Sequence, residues 1–166
     1  MAERSKIDIL KGALLLEHRG RSLYQSVAET TRVQPVRELF DFLVSEENKH
    51  IEFLSGQFKR LSKGQDFTVS DLPDSSDAAE HAFAGDIADK VSGAGYEAAA
   101  ISAALEFEKN AARYYSEQAA TAVDSGEKEL YTLLAKWETS HLTMLADIDR
   151  DLLEKAWSDN RFWPLD

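Results

Sequence analysis

Cysteine is absent from this 166-residue chain, which excludes disulfides, thiolate zinc sites, iron–sulfur clusters and cysteine nucleophiles. Any bound metal must be held through oxygen and nitrogen. Basic residues are scarce: 19 Lys and Arg against 30 Asp and Glu leave a formal charge of −11 and a pI near 4.8. Such an acid excess opposes the phosphate contacts on which nucleic-acid and anionic-membrane binding depend, so neither partner is expected. Long hydrophobic runs are missing too. The longest apolar stretch near the N-terminus, Ala13 to Leu16, is far too short for a signal peptide or a membrane span. The expectation is a soluble, cytoplasmic protein.

Three prolines and eight glycines leave long uninterrupted stretches in which apolar residues recur at three- and four-residue spacing. The expected class is all-α. One domain over residues 1–166 is predicted, with helices at about 7–29, 34–62, 97–123 and 127–157, a crossover at about 63–96 and an aromatic tail at 158–166. Ile9, Leu10, Ala13, Leu16, Leu23 and Val27 form the apolar side of the first helix. Leu39, Phe40, Leu43, Ile51, Leu54, Phe58 and Leu61 form that of the second, where Pro35 suits the first turn. Within the crossover, Asp77 to Lys90 reads as a short helix, and Ser125 reads as the N-cap of the last long one. Short links make each successive pair of long helices antiparallel, whereas more than 30 residues join the pairs, enough to run the full length of a bundle. Two hairpins joined by a crossover make a four-helix bundle.

The halves are copies of one another. A shift of 91 residues lays Ala13-Leu14 on Ala104-Leu105, Glu17 on Glu108, Tyr24 on Tyr115, Leu43 on Leu134, Glu47 on Glu138, His50 on His141 and Leu54 on Leu145. Each copy carries a Glu on its first helix and, thirty residues later, a Glu-x-x-His on its second. Residues three apart share a helix face, so Glu47 with His50 and Glu138 with His141 each present a carboxylate and an imidazole together. Their neighbours at four-residue steps are core leucines, which turns both pairs inward. Glu17 follows Leu14, Leu15 and Leu16, and Glu108 follows Leu105 and Phe107, so these carboxylates are also drawn towards the core.

Buried ionisable groups cost several kcal/mol of desolvation unless partners or a metal compensate. Four carboxylates and two imidazoles in a bundle core are the ligand set of a dinuclear iron or manganese site. Four negative charges are balanced by two divalent ions, and the oxygen-rich set suits iron or manganese, with zinc also able to bind. A single Glu-x-x-His arises easily by chance in so acidic a chain. Two at the offset that also matches a Glu and a Tyr do not, and neighbours such as Ser45/Lys136 and Asn48/Thr139 have diverged while the polar positions persist.

With Glu17 through Tyr24, Glu46-Glu47-Asn48-Lys49-His50, Leu105-Glu106-Phe107-Glu108 through Tyr115, and Trp137-Glu138-Thr139-Ser140-His141 in hand, the chain resembles the ferritin-like superfamily, specifically the rubrerythrin-like diiron proteins, over roughly residues 5–155. The resemblance implies an antiparallel ferritin-like four-helix bundle in which Glu17, Glu47, His50, Glu108, Glu138 and His141 hold two iron ions, Glu47 and Glu138 bridging them. Glu106 is the reserve for Glu108. It also implies that Tyr24 and Tyr115 hydrogen-bond a ligand carboxylate across the bundle; read without it, both are core tyrosines with a wet hydroxyl. The implied activity is an oxidoreductase or ferroxidase that oxidises Fe(II) with dioxygen or hydrogen peroxide in oxidative-stress or iron handling, working as a homo-oligomer, at least a dimer.

Two departures qualify the likeness. Without cysteine there is no rubredoxin-type centre, so an external electron donor is needed. Where rubrerythrins carry an additional Glu one turn before the third helix's ligand, this chain has Leu105. Two other readings use the same six residues: a module that stores, transfers or senses metal without turnover, and an inert bundle subunit whose stability is indifferent to chelator. His18, about 100° around the helix from Glu17, reads as solvated, as do Glu3, Glu29, Glu80, Asp147, Asp149 and Asp151. His81 reads as structural or exposed. The tail with Trp157, Phe162, Trp163, Pro164 and Leu165 is expected to fold back on the bundle, close a subunit contact or dock a partner.

Overall fold

The computed structural model describes residues 6–68, 84–159 and 163. Its helices are α1 (Lys6–Thr30), α2 (Gln34–Ser62), α3 (Ala84–Lys90), α4 (Tyr96–Thr121) and α5 (Ser125–Ser158), with no strand among the described residues. None of them is long and apolar enough to cross a membrane. The long helices lie within three residues of the bounds read from periodicity. Three-residue links, 31–33 and 122–124, fold α1 back on α2 and α4 back on α5.

Local chemistry sets the ends. Pro35 stands in the first turn of α2, where a missing N–H costs nothing. At the far end Gly64 takes φ +74, letting Gly64 N–H donate to Leu61 O (3.0 Å) and Gln65 N–H to Arg60 O (3.1 Å), the paired bonds of a Schellman stop. The cap of α5 differs from expectation. Asp124, not Ser125, is the N-cap: its Oδ1 accepts the N–H of Glu127 at 2.9 Å, and Ser125 is already helical. A carboxylate at that position meets both the unpaired N–H groups and the positive helix end, and Lys6 Nζ stands 3.1 Å from its Oδ2.

In the crossover the described helix begins at Ala84; the rest of the Asp77–Lys90 expectation, with His81 and Glu80, lies outside the described residues, as does Glu3. Ile87 and Val91 bring α3 into the core against α5. The turn after it sits close enough that a Cβ on Gly93 would stand 2.6 Å from that of Ala156. Trp163 folds back on the end of α5, its indole N–H donating to Ala156 O at 3.1 Å and its ring stacking on exposed Trp157. Phe162, Pro164 and Leu165 lie outside the described residues.

The apolar core comes in two parts. One contains Val36, Leu39, Phe40, Leu43, Ile101, Leu145 and Ile148; the other contains Ile9, Leu10, Leu54, Ala111, Leu130 and Leu134. Leu16, Leu23, Ile51, Phe58 and Leu61 are half-buried rather than core, whereas Phe53 is buried. A polar layer lies between the two parts.

Candidate metal centre

That layer is the meeting point of the duplicated motifs. Glu17 comes from α1, Glu47 and His50 from α2, Glu108 from α4, and Glu138 and His141 from α5; none is more than 4% exposed. Each sits on the inward stripe because leucines one turn away, Leu43 and Leu54 on α2 and Leu134 and Leu145 on α5, are fully buried. Glu106, two residues before Glu108, points to the surface and pairs with Lys109 at 3.0 Å.

Two ligand groups overlap. Glu47, Glu108, Glu138 and His141 each bring an oxygen or ring nitrogen within 4.8 Å of the others, and so do Glu17, His50 and Glu138. Glu138 belongs to both. Glu47 reaches the second group as well, with an oxygen 3.8 Å from His50 Nδ1. His50 Nδ1 also stands 3.0 Å from Glu17 and 3.5 Å from Glu138, and His141 Nδ1 stands 3.4 Å from Glu108. The two imidazoles lie nearly parallel, centroids 5.4 Å apart.

The tyrosines cross between the hairpins. Tyr24 on α1 donates its hydroxyl to Glu108 on α4, and Tyr115 on α4 donates to Glu17 on α1. Both rings are fully buried. Their hydroxyls are not wet, and each copy of the repeat braces a carboxylate of the other. Gly20 makes the close approach between α1 and α4 possible: a Cβ there would meet the Phe107 ring at 2.8 Å and the Glu47 carboxylate carbon at 3.4 Å.

Electrostatics divide the carboxylates into two kinds. Burial pushes Glu47 and Glu138 well above the ordinary carboxylate range, and the negative charges of Glu17 and Glu108 push them further. Burial also raises Glu17, but hydrogen bonding and charge from His50 outweigh it, so Glu17 ends below the ordinary value. Glu108 also ends low, burial being outweighed first by the positive charge of His141. His141 itself is lowered by burial and raised more by Glu108, ending above the ordinary imidazole value. Burial beside these carboxylates lifts both tyrosine hydroxyls well above their usual range, which keeps them as donors.

Several buried atoms remain unpaired. Both oxygens of Glu47, Oε2 of Glu108, Oε1 of Glu138 and Nδ1 of His141 have no hydrogen-bond partner. Leaving such groups dry and unpaired is costly, and a fold that concentrates them at one point is shaped for a charged occupant.

Sequence reasoning missed two residues here. Trp137 stacks flat on His50, centroids 4.4 Å apart, and the equally buried Glu46 lies beside both imidazoles. Their signal was the 91-residue register, which sets Glu46 against Trp137 and so marks one place where the copies differ in kind. Away from the layer, His18 and Glu29 are exposed, whereas Asp147 and Asp149 are half-buried, paired with Arg150 (2.7 Å) and Ser102 (2.9 Å).

A family model described as rubrerythrin matches residues 8–149, a span that takes in all six inward-facing Glu and His residues. Comparison with curated proteins and with solved structures gives no match.

Proposed function

Because the chain belongs to the rubrerythrin family, with an all-helical fold consistent with a ferritin-like bundle and Glu/His groups able to hold a metal, we propose that its buried layer holds two iron ions and works as an oxidoreductase of the ferroxidase type. The oxidant in this reading is dioxygen or hydrogen peroxide, and an external donor restores the ferrous state. The observation that carries the proposal is the convergence of buried carboxylates and imidazoles from all four long helices, with oxygens of Glu47, Glu108 and Glu138 and Nδ1 of His141 left without a hydrogen-bond partner.

The donor set fits the group. Glu17 and His50 would hold one ion, Glu108 and His141 the other, and Glu138 and Glu47 would serve both, as their shared distances suggest. A ferrous pair supplies one electron from each ion, enough to take dioxygen to peroxide or peroxide to water. The remaining work belongs to the chain. Glu47 and Glu138 keep their protons to higher pH than ordinary carboxylates in the metal-free fold and would give them up on loading, so that four ionised carboxylates face four positive charges. Tyr24 and Tyr115 fix Glu108 and Glu17 from across the bundle. The apolar clusters on either side keep bulk water from the layer, which strengthens every charge interaction inside it.

Anaerobic ferrous titration of the metal-free protein, followed by dioxygen or peroxide while the near-ultraviolet absorption of ferric iron is recorded, tests the reading. A break at two irons per chain and rapid oxidation by one oxidant are expected, with the break lost in Glu47→Ala and His141→Ala. Absence of saturable binding would refute it.

A further inference from the structure

One carboxylate beside the cage has no place in the six-residue set. Glu46 is 5% exposed, and one of its oxygens lies within 4.8 Å of a ring nitrogen of His50 and a ring nitrogen of His141. Its counterpart in the other copy is Trp137, whose ring covers His50 face to face. The two copies therefore flank the imidazoles differently, with an apolar lid on one side and an acid on the other.

Glu46 is not left uncompensated. Lys49 Nζ stands 2.5 Å from its Oε1, and the lysine side chain is 38% exposed and borders an open groove along α2 with Glu52 and Gly56. A carboxylate with two imidazoles is a set that first-row divalent cations accept, and one ligand atom from each of the three lies within 4.8 Å of the others. The same imidazoles face the inner carboxylates, His50 Nδ1 at 3.0 Å from Glu17 and His141 Nδ1 at 3.4 Å from Glu108. Both imidazoles therefore belong to the Glu46 group and to the inner cage, so an ion held beside Glu46 would lie next to the inner carboxylates.

We propose that Glu46, with His50 and His141, forms an outer capture site through which a divalent cation reaches the cage, and that Lys49 is the cation it displaces. A doubly charged ion outcompetes a half-exposed ammonium for a buried carboxylate, and Lys49 swings into solvent without disturbing the helix. The proposal rests on the cage being a metal centre.

Stopped-flow loading of the metal-free protein with Co(II), followed by its visible absorption, with calorimetric stoichiometry at equilibrium, separates the two ideas. Glu46→Gln is expected to slow loading by about tenfold or more while leaving the final Co(II) count and spectrum those of the parent. Lys49→Ala is expected to load faster, and Glu46→Asp to recover part of the rate. Parent-like rates in both Glu46→Gln and Lys49→Ala would overturn the capture site while the metal centre stood. A lower Co(II) count or an altered spectrum in Glu46→Gln would make Glu46 a resident ligand and overturn it too. Failure of the parent to take up Co(II) would remove the metal centre itself. Should Glu46→Gln not fold by circular dichroism, Lys49→Ala alone decides.

Discussion

At the scale of single residues, the division of the carboxylates has a measurable consequence for the metal-free protein. Glu47 and Glu138 keep their protons to a higher pH in the fold than in the unfolded chain, so above the ordinary value of 4.5 the native state binds more protons and loses stability as pH rises. His141 acts in the same direction: the stabilisation it gains beside Glu108 is complete below 6.5 and is lost as pH climbs through its raised folded-state value. Glu17 and Glu108 act oppositely, contributing stability above 4.5 that disappears as pH falls through their lowered values. The melting temperature of the metal-free protein, followed by circular dichroism in chelator, is therefore expected to fall from mildly acidic to alkaline pH. The double variant Glu47→Gln/Glu138→Gln should flatten that fall; equal slopes in parent and variant would contradict the assignment. The six cage residues were legible in the sequence because each stands on a leucine stripe and has a twin 91 residues away. Glu46 was marked in the sequence only by its mismatch with Trp137 in the 91-residue register; its burial depends on how α2 meets α5, which no local pattern encodes.

Among the elements, what periodicity could see was the long helices, because a bundle helix repeats its buried stripe many times and a few half-buried positions such as Ile51 or Leu61 do not erase it. What it could not see was decided by single hydrogen bonds. Asp124 and Ser125 are both acceptable caps by type; Asp124 takes the role, accepting the Glu127 N–H, and its other oxygen meets Lys6 from the start of α1. Asp124→Ala is expected to lower the melting temperature by about 2–4 °C, whereas Ser125→Ala should leave it near the parent value. Thermal unfolding of the two single variants side by side checks this. A larger loss at Ser125 would place the cap where the sequence alone suggested it.

Across the whole molecule, the polar layer separates one apolar cluster from the other, so the metal-free bundle carries its buried ionisable groups through the middle of its core. Among the described residues, Tyr24 with Glu108, Tyr115 with Glu17, and His50 with Glu138 and Trp137 tie the hairpins at that level, while several buried oxygens stand unpaired. Each of the two ligand groups draws on three of the long helices, so a pair of divalent ions held there would join α1, α2, α4 and α5 and relieve the repulsion, and loading would act as folding energy. Linkage sets the scale: metal at a hundred times its dissociation constant stabilises a native state by about 2.7 kcal/mol per site, or roughly 5–10 °C in a chain of this size. The melting temperature is accordingly expected to climb with Mn(II) or Co(II) concentration and to return on chelation. The gain should be larger at alkaline pH than at mildly acidic pH, where Glu47 and Glu138 must first surrender their protons. Scanning calorimetry across a metal series at two pH values decides the matter, and a melting temperature indifferent to metal at both would leave an inert bundle whose buried acids serve only one another.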